Sequence, residues 1–449
     1  MLAVAYLGLT LFILLIEFLR KKKVVFDFLS FFHLMFCLMY PIPAFLMSAN
    51  LGSDGVEDTG VFKFSIYDAQ LLLAIFLGYF TILISFYSAS AQNYARKITI
   101  TWQSEKKVFR IAILLLLFSC ISVQIYASQF GGILSAISKA TFIRMTLAEG
   151  GNLVFFKHFM FLSFCPSYLL AAFIFDRKRR KNKLFLYTAF VISAIYTIIG
   201  VTITGGRAHL IIYFLTFYLV RVIKNRKIPW LLTIYLIVPS ILFILYGKSL
   251  FFSLSGIKDG FDSVIKLFIT AVESQSENSD GLSSLVENFS YQIYSLKAAL
   301  YAEYPLRLFI DWYYGIISFL PERLIEIELP ETLSSLNTRN IVGNNDFMIP
   351  TGMFAFSIYS FSWPGLIIVC LIYGWIGSFL ETILYNNLNQ AAWMPYIYVM
   401  VAQIWIDFFT AGDPEIFLFG DFGYLLSLFI LFTVGSRISI HKFKIYKHI

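Results

Sequence analysis

Apolar residues dominate this chain in long uninterrupted runs, not in the alternating or single-stripe patterns of a water-facing domain. The runs fall near residues 2–19, 24–47, 66–90, 108–128, 155–175, 184–204, 207–222, 228–247, 364–385, 393–410 and 416–434. Runs of this kind can cross a hydrocarbon core ~30 Å thick as helices. The pattern predicts an all-α polytopic membrane protein with about 11 transmembrane helices. They divide into an eight-helix part (1–247), an intervening segment (248–350) and a three-helix part (351–449).

The intervening segment carries helical periodicity of its own. Phe261, Val264, Ile265, Phe268, Ile269 and Val272 recur at the spacing of one helix face, and Phe289, Ile293, Leu296 and Leu300 make a second stripe. Ser274 to Ser284, rich in Ser, Asn and Gly, predicts a loop between them. Pro305 to Leu320 is apolar, but as a helix it would rise only ~24 Å, and it contains Arg307 and Asp311. It is expected to lie on the membrane surface or to fold back into the bundle. The aromatic residues around it, Tyr313 and Tyr314 among them, suit either a bilayer interface or the flat apolar face of a sugar. Gly131 to Gly151 brackets another amphipathic stretch, with Lys139 and Arg144, readable as an interfacial helix with snorkelling cations.

Composition agrees with the pattern. Of 449 residues 59% are hydrophobic and 14% charged, against ~45–50% and ~25% in soluble chains. A net charge of +8 would suggest a nucleic-acid partner in a soluble protein; here its placement points elsewhere. Most Lys and Arg residues sit in five clusters: Arg20 to Lys23, Arg96 to Arg110, Arg177 to Lys183, Arg221 to Lys227 and Arg437 to Lys447. All five share one side if the N-terminus is outside and the C-terminus inside, and basic loops stay cytoplasmic. The 248–350 segment is then expected outside, as a large helical periplasmic loop. Met1 to Leu19 lacks a basic leader and reads as a retained span. Cys37, Cys120, Cys165 and Cys370 all lie in apolar runs and read as small buried hydrophobes.

The most specific local feature is Thr204-Gly205-Gly206-Arg207-Ala208-His209, between two spans that reverse direction outside. Paired glycines permit a tight reversal. Arg207 then opens a descending helix at the lipid boundary, where a cation wants an anionic partner and its planar fork matches phosphate. The plainer alternative is a glycine turn with a snorkelling arginine. Lys248, Arg307, Arg323 and Arg339 are further outside cations; Arg339 is followed by Gly343-Asn344-Asn345-Asp346, and Arg323 and Arg339 lie in polar, turn-forming stretches. There is no HExxH, Cys-based zinc spacing, P-loop or dinucleotide fingerprint. Glu57-Asp58 admits a metal-binding acidic pair or, more plainly, a solvated acidic loop, and His33 reads as a satisfied core histidine. No metal or cofactor is expected.

Thr204-Gly205-Gly206-Arg207 before an apolar helix, a Gly-containing loop before the fifth span, and a late outside loop running through Phe319-Leu320-Pro321, Leu336-Asn337 and Pro350-Thr351-Gly352 together resemble the O-antigen polymerase (Wzy) family. In size and order the chain is similar to the branch that polymerises enterobacterial common antigen. The resemblance implies a GT-C-like glycosyltransferase of the bacterial inner membrane, active at the periplasmic face and without nucleotide sugar or metal. Its substrate would be an undecaprenyl-pyrophosphate-linked oligosaccharide, and a chain-length regulator would be a natural partner. Carrying over the family's periplasmic arginines implies Arg207, Arg144, Arg323 and Arg339 as catalytic residues. His209 is a candidate base, with Lys248, Tyr313, Tyr314 and Asp346 on the substrate. The alternatives are the related O-antigen ligase, whose late loop is expected to carry a histidine that 248–350 lacks, and a flippase or transporter of the same lipid-linked glycan.

Overall fold

The computed structural model describes residues 2–49, 65–144, 153–176, 183–278, 281–319, 330–344 and 348–440. Among them, 11 helices are long and apolar enough to cross a membrane: Leu2–Leu19, Phe28–Ser48, Ala69–Phe86, Glu105–Ser128, Val154–Phe175, Lys183–Ile203, Arg207–Asn225, Trp230–Asp259, Gly352–Asn387, Met394–Ala411 and Pro414–Gly435. They coincide with the apolar runs to within a few residues, apart from the ends of the eighth and the start of the ninth. The protein is a multi-pass α-helical membrane protein. Helix is the outcome because lipid offers no partner to an open backbone N–H or C=O.

Several spans are not plain rods. The second breaks at Tyr40, between Phe28–Met39 and Pro41–Ser48, where Pro41 and Pro43 cannot donate to the preceding turn. The ninth breaks at Phe361 (φ −152°, ψ 34°) and Ser362 (φ 52°, ψ −148°). A side chain on Gly365 would run into the Ser357 carbonyl, so the chain turns sharply here. Of the two halves only 363–387 can span, as the apolar run at 364–385 predicts. The first half, 352–360, rises only about 13 Å and is buried throughout.

The chain clusters into two compact units built from non-contiguous segments: Met1–Tyr87, Val272–Gly377 and Gln403–Gly420 form one, and Ser88–Ala271, Ser378–Ala402 and Asp421–Ile449 the other. The first has an aromatic core. Phe36 meets Tyr79 at 4.9 Å and Tyr40 at 5.4 Å, and Tyr373 stacks on Trp405 at 4.4 Å. Phe354 seats its ring on Gly78, where a β-carbon would stand 2.5 Å from it. At one edge Glu17 accepts from Arg20 and Lys22, each at 2.6 Å, and meets His33 Nδ1 at 2.9 Å. His33 Nε2 lies 3.3 Å from the Tyr79 hydroxyl. His33 is thus the satisfied core histidine expected, but its ionic partners were not foreseen. Elsewhere in this unit Asp68 caps the third span by accepting from Gln70 N at 2.7 Å and pairs with the buried Lys297.

The second unit contains the only strands among the described residues. β1 (Ile98–Trp102) pairs antiparallel with β2 (Ser436–Ile440), Ile100 facing Ile438. Both stretches lie where the sequence predicts a basic loop and tail. They alternate apolar and polar positions, but over too few residues to stand out. The pairing bears on topology, because the chain must emerge on one membrane face after both the third and the eleventh span. Spans four to eleven are even in number, whereas a twelfth at 305–320 would make them odd. The only helix there among the described residues is Asp311–Ile317, far too short to cross.

Two local expectations are corrected. Ser274 to Ser284 is mostly helical, since Phe261–Asn278 and Gly281–Tyr301 extend into it from either side. Arg339 lies in a helix, Leu333–Val342, and not in a turn. Thr332 caps it by accepting from Ser335 N, and Gly343 ends it at φ 83°.

Candidate functional site

The glycine turn is built as expected from its residues. The sixth span ends with Gly206 N bonding Val201 O and Gly205 N bonding Thr202 O, both at 3.1 Å, while Gly205 adopts φ 66°. This paired closure satisfies the last carbonyls of the helix and needs a left-handed residue at Gly205's position. Arg207 then opens the seventh span, and its own N–H bonds Gly205 O at 3.1 Å.

Two arginines flank the turn. Arg144, at the exposed end of the short Ala140–Arg144 helix, lays its Cδ 3.1 Å from where a β-carbon on Gly205 would stand. Arg207, half-buried, lays its Cδ 3.3 Å from the same position on Gly247. A side chain at either glycine would press on the aliphatic stem of its arginine. His209 folds back beneath the turn, with Nδ1 2.8 Å from a β-carbon placed on Gly206, and its ring stacks on Phe161 at 5.0 Å and 16°. That position makes it a packing element of the turn. Lys248, next to Gly247, is exposed.

The other expected residues fall in the first unit or outside the described residues. Arg339 pairs with Glu331 at 2.8 Å. Tyr313 is exposed and Tyr314 half-buried on the Asp311–Ile317 helix. Arg323, Asp346, Glu57 and Asp58 lie outside the described residues. Near Arg339, Arg307 Nε bonds both carboxylate oxygens of Asp311, at 2.8 and 3.0 Å, and its Nη2 donates to Glu331 O at 3.0 Å. Burial raises the Asp311 carboxyl above its ordinary value although Arg307 pulls it down. This pair was seen in the sequence only as two charges unsuited to a span. Among the described residues no three His, Cys, Asp or Glu side chains gather to hold a metal.

Comparison with protein-family models, with curated proteins and with solved structures returns no match for this chain.

Proposed function

We propose that the protein is a polymerase of lipid-linked oligosaccharide repeat units, acting at the outer face of the inner membrane with a GT-C-like layout. The observation that carries this reading is the glycine turn, with Arg144 lying against Gly205 and Arg207 at the opening of the apolar helix that follows. Guanidinium forks favour phosphate oxygens, which they bind in planar, bidentate pairs. In the reaction the bond from the donor's anomeric carbon to undecaprenyl pyrophosphate breaks. A hydroxyl oxygen at the non-reducing end of a second lipid-linked unit forms the new glycosidic bond, its proton leaves, and the lipid pyrophosphate departs. Pyrophosphate is already a good leaving group, so stabilising its charge and aligning the hydroxyl suffice.

One observation favours a second reading, transport of the same glycan lipid. The Glu17–His33–Tyr79 chain places ionisable groups within predicted spans, as proton-coupled carriers do. Surface glycan from a deletion strain separates the two. Loss of a polymerase leaves single repeat units on the surface lipid, and loss of a transporter leaves the units inside.

A further inference from the structure

Residues 306–316, after the Gly281–Tyr301 helix, are built with their polarity reversed. This stretch turns its charged side chains in: Asp311 is 5% exposed and held by Arg307, which also reaches Glu331 O. Its apolar side chains point out: Leu308 is 63% exposed and Ile316 61%, with Leu306, Ile310 and Tyr313 also exposed. The backbone enforces the reversal. Leu308 and Phe309 are consecutive non-glycine residues at positive φ, 49° and 63°, a conformation that bulky side chains avoid. It is pinned by Arg307 N and Leu308 N, which donate to Tyr359 O and Ser360 O at 3.1 and 2.8 Å, the carbonyls left open where the ninth span breaks. Water does not favour such an arrangement, so something apolar must cover the outer face.

The neighbours of the segment say what covers it. Trp312 packs between Phe408 at 5.3 Å and Phe417 at 6.3 Å, in the last turn of the tenth span and the first turn of the eleventh. A β-carbon on Gly315 would stand 3.1 Å from the backbone N of Glu415. The segment therefore sits level with the ends of two membrane spans, where hydrocarbon begins. We infer that 306–316 is a monotopic foot that inserts Leu306, Leu308, Ile310, Tyr313 and Ile316 into the outer layer of the bilayer. This decides between the two placements left open for 305–320, and it holds whichever glycan chemistry the protein performs. Apolar side chains gain by entering the acyl boundary, and Tyr313 suits the headgroup level.

The test is collision accessibility of a nitroxide attached at Leu308→Cys and, separately, at Ile316→Cys, in the full-length protein in phosphatidylcholine–phosphatidylglycerol vesicles. Labelled wild type supplies the background from the native cysteines, and Glu303→Cys, at an exposed acidic position, supplies the aqueous reference. The foot predicts that oxygen outweighs a water-soluble nickel chelate several-fold at 308 and 316, with the reverse at 303. Nickel accessibility at 308 and 316 equal to that at 303 overturns it, because the face would be in water. So does shielding from both reagents, because a protein surface would then cover it.

Discussion

Arg144 lies across Gly205, its Cδ 3.1 Å from where a β-carbon on that glycine would stand. The contact ties the short Ala140–Arg144 helix to the turn that opens the seventh span. A β-carbon at Gly205 would press on the stem that carries the Arg144 guanidinium.

Gly205→Ala is therefore expected to act in two ways. An alanine at φ 66° costs about 1–2 kcal/mol in backbone strain, and its methyl displaces Arg144. Under the polymerase reading the glycan ladder should shorten markedly while protein remains in the membrane. Gly132→Ala is the control, since φ is 108° there but nothing lies within 4 Å of the new methyl. Equal loss from both variants would mean that strain, and not the arginine, is responsible.

Lys297 and Asp68 are buried partners far apart in sequence. Removing one leaves the other as an uncompensated charge, at about 3–5 kcal/mol. Lys297→Met should lower the thermal midpoint in detergent substantially. Adding Asp68→Asn should recover much of it, because a neutral amide still accepts from the amides at the start of the third span. A double variant no better than the single would show that the pairing contributes little.

The β1–β2 pairing makes the loop after the third span and the C-terminal tail share a face. Reporter fusions at Thr99 and at Arg437 should agree with each other, and with fusions at Lys224, in reporting cytoplasm. A fusion at Gly260 should report the opposite side. Disagreement between the first two would refute the span count.

No metal-binding group appears among the described residues, and the arginine pair needs none. Polymerisation by purified protein should persist in EDTA. Activity lost to chelator and restored by magnesium would bring Glu57 and Asp58 into the account.

The spans were legible because an apolar run of membrane length reads the same whatever it packs against. The turn was legible too, since Gly205 takes a left-handed conformation, φ 66°, that glycine adopts without steric cost. What escaped depends on partners remote in sequence. Glu17 and His33 each look like an exception in an apolar run, and only the fold shows one answering the other. The break at Phe361–Ser362 is followed by Pro364 and Gly365, but the carbonyls it opens are taken by backbone groups of Arg307 and Leu308, remote in sequence. β1 and β2 are single short strands, each meaningless without the other. The stacking of His209 on Phe161 is a matter of packing that periodicity does not encode.

The central claim is that Arg207 meets the lipid pyrophosphate, and a comparison of Arg207→Lys with Arg207→Ala at matched membrane protein levels tests it most directly. A planar bidentate fork is not replaced by the compact ammonium of lysine, whereas a cation that merely snorkels is. Losing a charge-assisted contact to the departing pyrophosphate costs about 3 kcal/mol, roughly a hundredfold in rate. The account predicts that alanine nearly abolishes the ladder of glycan lengths and that lysine retains only a small part of it. A stable Arg207→Lys protein giving a normal ladder would leave Arg207 as a structural anchor, and a stable Arg207→Ala protein doing so would remove it from the site.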